Sequence, residues 1–235
     1  MKRLAIIPAR GGSKRIPNKN IRDFCGKPMI SYALGAARSS ELFDTIHVST
    51  DSLKISNVVD NLGFPIDFMR PKSLADDYTR IMPVLKYVTD EYAKINQAFD
   101  QVWMLMACAP LIDAIDLIKA EKLFSQAGGR DPLLAVSEYP VPIEWAFSRK
   151  PNGRMIPLQP GMFAKRSQDL EKSYYDAGSF AAFPAKTVEC SQGAGTDDAF
   201  IGYVLPKGTS IDIDDEQDWA LAESIFQMKA GKLKG

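Results

Sequence analysis

Short apolar runs alternate with amphipathic segments along most of the chain. Leu4-Ala5-Ile6-Ile7-Pro8 has no polar interruption and predicts a strand buried on both faces. A loop rich in Gly, Lys and Arg follows, from Arg10 to Asn20. Pro28 to Arg38 predicts a helix with proline in its first turn. Thr45 to Ser49 predicts a second strand, and Thr50-Asp51-Ser52 can cap the helix that runs on to Asn61. Ile66 to Met69 predicts a third strand. Ile81, Val84, Leu85 and Val88 recur at helical spacing within Thr79 to Ile95. Gln101 to Met106 predicts a strand, Ala114 to Ala127 a helix ended by Gly128-Gly129, and Leu133 to Ser137 another strand.

The alternation then breaks. Tyr139 to Tyr175 is rich in proline, glycine and charge. Its Trp145, Phe147, Met155 and Phe163 need burial, so it reads as an excursion from a sheet and not as a linker. Strand-like sequence returns at Ser179 to Phe183 and Ile201 to Leu205, and Asp214 to Met228 predicts a last helix. Residues 1–138 therefore read as an α/β core, 139–178 as an inserted arm, and 179–235 as the return of the core. The sheet is expected to be mostly parallel. In such sheets ligands bind beyond the carboxyl ends of the strands, and each motif below falls at such an end.

Composition narrows the partners. The chain has 235 residues, 46% hydrophobic and 25% charged, which is ordinary for a globular protein. Twenty-nine basic and 29 acidic residues cancel, which argues against broad binding to nucleic acid or to a membrane surface. No apolar run approaches the ~20 residues of a membrane span. Met1-Lys2-Arg3 begins like a leader, but Arg10 follows where small neutral residues would be needed. Cys25, Cys108 and Cys190 lack metal-like spacing and suit reduced thiols, so the expected location is the cytoplasm. The only histidine, His47, reads as structural, which removes histidine-based triads and histidine-rich metal sites. Lys229, Lys232 and Lys234 read as a solvated helix end.

The strongest chemical signal is Pro8-Ala9-Arg10-Gly11-Gly12-Ser13-Lys14-Arg15-Ile16-Pro17-Asn18-Lys19-Asn20. Gly11 and Gly12 let the backbone turn and present N–H groups to an anion. Arg10, Lys14, Arg15 and Lys19 place four cations within ten residues. The combination suits a triphosphate. Neither the Walker A spacing nor G-x-G-x-x-G is present.

These residues resemble the opening motif of the CMP-sugar synthetases, cytidylyltransferases that activate acidic sugars. Val48-Ser49-Thr50-Asp51 resembles the end of that family's second strand. Arg70-Pro71-Lys72-Ser73-Leu74-Ala75-Asp76-Asp77 resembles its R-P-x-x-L-A-x-D stretch, and Asp212-Ile213-Asp214 its D-I-D metal motif. The pieces stand in family order over nearly the whole chain. Within the family, Arg166-Ser167-Gln168-Asp169-Leu170 and Tyr174-Tyr175-Asp176-Ala177-Gly178 resemble the R-x-Q-D-L and Y-x-D-A-G patterns of pseudaminate cytidylyltransferases. At Met106 to Ile112 the Q-P-T-S-P-L-R segment of neuraminate enzymes is absent.

The resemblance implies a Rossmann-like, three-layer α/β/α nucleotidyltransferase fold of GT-A type, with a dimerisation arm and a homodimer. It implies CTP and an acidic nine-carbon sugar as partners. It places Ala9, Arg10, Gly11, Gly12, Ser13, Lys14, Lys19, Asn20 and Arg70 at the nucleotide, with Arg10, Lys14 and Asp212 catalytic. Arg166, Gln168, Tyr175 and Asp176 would hold the sugar, and Asp212 and Asp214 would hold Mg²⁺. Simpler readings stand beside these. Arg70 could form a surface ion pair with Asp76 or Asp77, Asp214 or Asp215 could cap the last helix, and Arg166 and Gln168 could be mere arm surface. Synthetases for neuraminate, legionaminate or KDO, a glycosyltransferase, and a non-catalytic nucleotide sensor are the alternative functions.

Overall fold

The apolar run at Leu4 to Ile7 becomes β1 (Arg3–Pro8), and all four of these side chains are fully buried. The computed structural model describes residues 1–193 and 200–232; Lys234 and parts of the predicted 179–235 return lie outside these. β1 pairs in parallel with β4 (Thr45–Ser49) on one side and β5 (Gln101–Leu105) on the other. Beyond β5 lies β9 (Tyr174–Pro184), antiparallel to both β5 and β6 (Leu133–Glu138). β10 (Ile201–Val204) closes that edge parallel to β6, giving the order β10-β6-β9-β5-β1-β4. The sheet is mostly parallel, as expected, and β9 alone runs against it.

Two helical layers cover the sheet. Ala5 and Ile7 point to one face, where α1 (Ile30–Ser40), α2 (Leu53–Asn61) and α4 (Ala114–Gln126) pack. Leu4 and Ile6 point to the other face, against α3 (Ile81–Lys94) and α5 (Ala185–Glu189). This period-two alternation on β1 is what a central strand between two apolar layers requires. Ser52 caps α2, its Oγ accepting the Ile55 N–H, and Asp113 with Asp116 forms a capping box on α4. A third apolar cluster joins Ile16 and Phe24 to Ile213 and to Trp219 of α6 (Glu216–Lys232). It anchors the far end of the cationic loop, with the Arg22 guanidinium 4.6 Å over the Trp219 ring.

The structure departs from the sequence reading at several places. Ile66 to Met69 forms no strand. Phe68 instead stacks on His47, with ring centroids 4.4 Å apart, and the Arg70 N–H donates to Thr50 O at 2.7 Å. Burial of one aromatic ring satisfied this segment without pairing. A small hairpin, β2 (Asp23–Phe24) and β3 (Lys27–Pro28), precedes α1 and was too short to read. Lys229 is not a solvated end: its Nζ donates to Leu111 O at 3.0 Å. The arm holds the hairpin of β7 (Phe147–Arg149) and β8 (Met155–Pro157). It closes where Tyr139 N–H donates to Ser173 O, so the sheet resumes at Tyr174 and not at Ser179. Within the arm Phe163 covers Trp145 and Phe147, yet Phe163 is itself 61% exposed and Met155 50%.

His47 is structural, as read. Its Nδ1 lies 3.1 Å from Tyr92 Oη, which donates to Asp67 at 2.5 Å, so the neutral ring donates from Nδ1. Nε2 is buried without a partner, and burial pushes the His47 pKa down from 6.5 to about 4. The unfolded chain therefore takes up a proton that the folded chain refuses. Stability is full above pH 6.5 and falls as pH drops toward 4. Between pH 6.5 and 5 the expected loss is about 1.5 kcal/mol. Urea unfolding at the two pH values checks this, and His47→Gln should abolish most of the difference.

Candidate active site

β1 is the point where the chain's connections turn from one side of the sheet to the other, and a crevice opens at such a point beyond the strand ends. A cavity of about 360 Å³ lies there. Its walls come from the loop after β1, the Arg70–Val84 stretch, Met106 to Cys108 after β5, Gly178, and the Asp212–Asp214 segment.

The loop is held by few contacts. Ala9 is buried and donates its N–H to Ser49 O at 2.9 Å, extending the β1–β4 pairing. The Gly11 N–H donates to Asp51 Oδ1 at 2.9 Å, so this amide is already used inside the protein. A Cβ on Gly11 would meet Ser52 Cβ at 2.9 Å, whereas one on Gly12 would meet nothing within 4 Å. Gly11 is thus needed for close packing, whereas Gly12 has open space beside it; neither glycine lines the cavity. Gly11 and Gly12 do not take positive φ; in this loop Asn18 does, at φ 55°.

Each pair of cations shares one carboxylate. Arg10 Nη1 donates to Asp77 Oδ1 at 2.8 Å and to Asp76 O at 2.7 Å, and Lys14 pairs with the other Asp77 oxygen. Lys14 and Arg10 hold the Asp77 carboxyl below its usual range. Arg15 pairs with Asp214 at 2.8 Å; Lys19 donates to Ile213 O at 2.5 Å and lies 3.9 Å from Asp214. Ser13 lines the cavity. Asn20 is buried and spends both ends of its amide on the protein: Nδ2 donates to Arg10 O, and Oδ1 accepts from Cys108 Sγ at 3.1 Å. Burial pushes the Cys108 thiol up to about 11, so it remains a donor. Cys108 thus fixes the residue that fixes the loop.

Arg70 is buried, and its Nε and Nη2 donate to Ser49 Oγ and O at 3.0 and 2.6 Å. The surface ion-pair reading fails, because Asp76 accepts from the Tyr78 and Thr79 amides and Asp77 is taken by Arg10 and Lys14. Desolvation lowers the Arg70 pKa to about 10, which still leaves it charged at neutral pH.

Asp212 and Asp214 flank the buried Ile213, so both fall on one face, and both line the cavity. Burial and the Asp214 charge push the Asp212 carboxyl up. Capping of α6 falls to Asp215, whose Oδ1 accepts from Gln217 and Asp218 N–H, while Asp218 reaches back to the amides of Asp214 and Asp215. Asp214 does not cap.

The four sugar candidates do not line this cavity in the single chain. Arg166 is exposed and paired with Asp169 at 3.0 Å, and Gln168 is exposed beside it. Tyr175 packs on Tyr139, ring centroids 4.9 Å apart. Asp176 accepts the Gly178 N–H at 2.8 Å, beside a register shift between β6 and β9. That irregularity, with Gly178 at φ +60°, brings Gly178 into the cavity wall. The sequence reading missed Asp77 and Arg80, which line the cavity; Asp77 stood inside a motif already quoted, and Arg80 carried no local signal.

Residues 4–99 match the model of the cytidylyltransferase family. Over 234 residues the chain is 38% identical to a pseudaminic acid cytidylyltransferase of Campylobacter jejuni, covering 97% of each. The chain belongs to the cytidylyltransferases. It is also 29% identical to a CMP-N,N'-diacetyllegionaminic acid synthase of Legionella pneumophila, covering 99% of this chain and 100% of that one. A solved CMP:2-keto-3-deoxy-manno-octonic acid synthetase complexed with CTP superposes with a TM-score of 0.72 at 16% identity, covering 97% and 100%. That likeness confirms the three-layer nucleotidyltransferase fold. Among cytidylyltransferases this chain thus has both a strand-end cation loop and a carboxylate pair facing one cavity.

Proposed function

We propose that this cytidylyltransferase joins CTP to pseudaminic acid, forming CMP-pseudaminic acid and releasing pyrophosphate. The observation that carries the reading is the full-length similarity to a relative of that name, set on a cavity lined by the four cations of the loop and by the Asp212–Asp214 pair. The anomeric hydroxyl of the sugar attacks the α-phosphorus and pyrophosphate leaves in line. Such transfers depend on positioning and on charge stabilisation, which Arg10, Lys14, Ser13, Lys19 and the backbone amides of the loop would supply. Arg70 would face the base end, and Asn20 would act through the loop it holds.

The donor set fits Mg²⁺. Asp212 and Asp214 offer hard oxygens, and among the described residues no group of three or more His, Cys, Asp or Glu stands ready to hold a metal. A cation held by these two would complete its shell with phosphate oxygens and water. When bound it withdraws charge from the reacting phosphate. Arg15 and Lys19 would then give up Asp214.

We assign the arm to a homodimer, with Arg149, Arg154 or Arg166 delivered to the partner's cavity. Val141, Leu158 and Phe163 are exposed on the arm, an apolar surface suited to burial. The three cysteines are free, which supports a cytoplasmic enzyme. Among the described residues no helix is long and apolar enough to cross a membrane.

Pyrophosphate release from CTP and Mg²⁺ with pseudaminate, legionaminate, neuraminate and KDO tests the reading. Release with pseudaminate above the other three is the expected result. Preference for another sugar would keep the chemistry and overturn the substrate.

A further inference from the structure

The cations at the head of the loop are paired within the protein. Asp77 gives one carboxylate oxygen to Arg10 and the other to Lys14, and no other acid pairs with either cation among the described residues. The Asp77 side chain is 36% exposed and belongs to no helix or strand. Its presentation is built by the residue before it. Asp76 Oδ1 accepts the Tyr78 and Thr79 amides, and Asp76 O accepts from Arg10. The turn so fixed places Asp77 in the cavity wall, opposite the loop.

Two oxygens bridging two cations is the pattern that a phosphate group would make with the same side chains. Asp77 and a phosphate are both anions and compete for the same faces of Arg10 and Lys14. Asp214 holds the other two cations, next to Asp212, and so marks the opposite end of the anion site. We propose that Asp77 is an anion stand-in: a positioning residue that holds Arg10 and Lys14 aimed into the cavity and is displaced by the terminal phosphates. This rests on the nucleotide reading above. Its consequence is selective. A ligand that reaches Arg10 and Lys14 must dislodge Asp77, whereas a monophosphate at the Asp212–Asp214 end need not. Asp77 therefore weakens the hold on the pyrophosphate leaving group and speeds its departure.

Calorimetric titration of pyrophosphate and CMP in chelator compares the parent with Asp77→Asn and Asp76→Asn. Asp77→Asn should bind pyrophosphate about tenfold tighter, the scale of a charge-assisted contact no longer contested, and CMP within about twofold of the parent. Asp76→Asn removes the same charge one residue away but keeps a turn acceptor, and should leave pyrophosphate affinity within about twofold. Equal tightening of CMP, or equal tightening by Asp76→Asn, would reduce the effect to net charge and overturn the proposal. So would unchanged or weaker pyrophosphate binding by Asp77→Asn in a parent that binds it; Asp77→Ser and far-UV circular dichroism guard that result against misfolding. A parent chain that binds neither CTP nor pyrophosphate would overturn the nucleotide reading and this inference together.

Discussion

Lys14→Ala should lower turnover by about 100- to 1,000-fold, the usual effect of deleting a donor aimed at developing charge. Folding should hardly notice. The Lys14 side chain is 78% exposed, and its recorded partner is Asp77. Exposed ion pairs are worth about 1 kcal/mol or less, which moves Tm of a chain this long by about 3 °C at most. Pyrophosphate release alongside a thermal melt measures both. The split between a large kinetic effect and a small thermal one is the point. A merely structural lysine would move both or neither, and full activity in the variant would remove Lys14 from the triphosphate. Lys14→Arg should recover part of the rate, since charge survives while the reach changes.

Asp212→Asn should cost about 1,000-fold in turnover, because one of the two carboxylates proposed to hold Mg²⁺ loses its charge. Stability should hold or rise slightly. The Asp212 carboxyl is pushed up by burial and by Asp214, so its charge is disfavoured in the folded chain and its removal relieves that repulsion. Nucleotide binding in chelator should persist, since Arg10, Lys14 and Lys19 are untouched. An enzyme with normal turnover and an unaltered response to Mg²⁺ would sink the metal assignment. Asp214→Asn should be equally inactive, but it also releases Arg15 and Lys19 from their carboxylate.

The fold was legible where one local rule decided it. Leu4 to Ile7 had no polar interruption, and only a strand covered on both faces satisfies that. Ser52, within Thr50-Asp51-Ser52, read as a cap because a cap needs a side-chain oxygen at the helix start; the Asp113 cap of α4 came only with the structure. Ile66 to Met69 misled because a short apolar run specifies burial and not hydrogen bonding; Phe68 found its burial against His47. Tyr174 to Gly178 were read as the end of the arm, since nothing local shows that Tyr175 and Asp176 will pair with Ser137 and Val136.

By itself, the sequence determined the alternating architecture, the cation loop at a strand end, the spaced carboxylates and the family. Each of these is written in contiguous residues, where side-chain type and backbone period suffice. The tertiary structure alone decided which charge meets which. Asp77 lies 63 residues from Lys14, Asp214 199 from Arg15, and Cys108 88 from Asn20. No local propensity encodes such pairs; strand order and loop packing bring them within a few ångströms. The same long-range packing buried Arg70 against Ser49 and left Arg166 on an arm outside its own chain's cavity. Coulomb energy and desolvation depend on distance and burial, which exist only once the chain has folded.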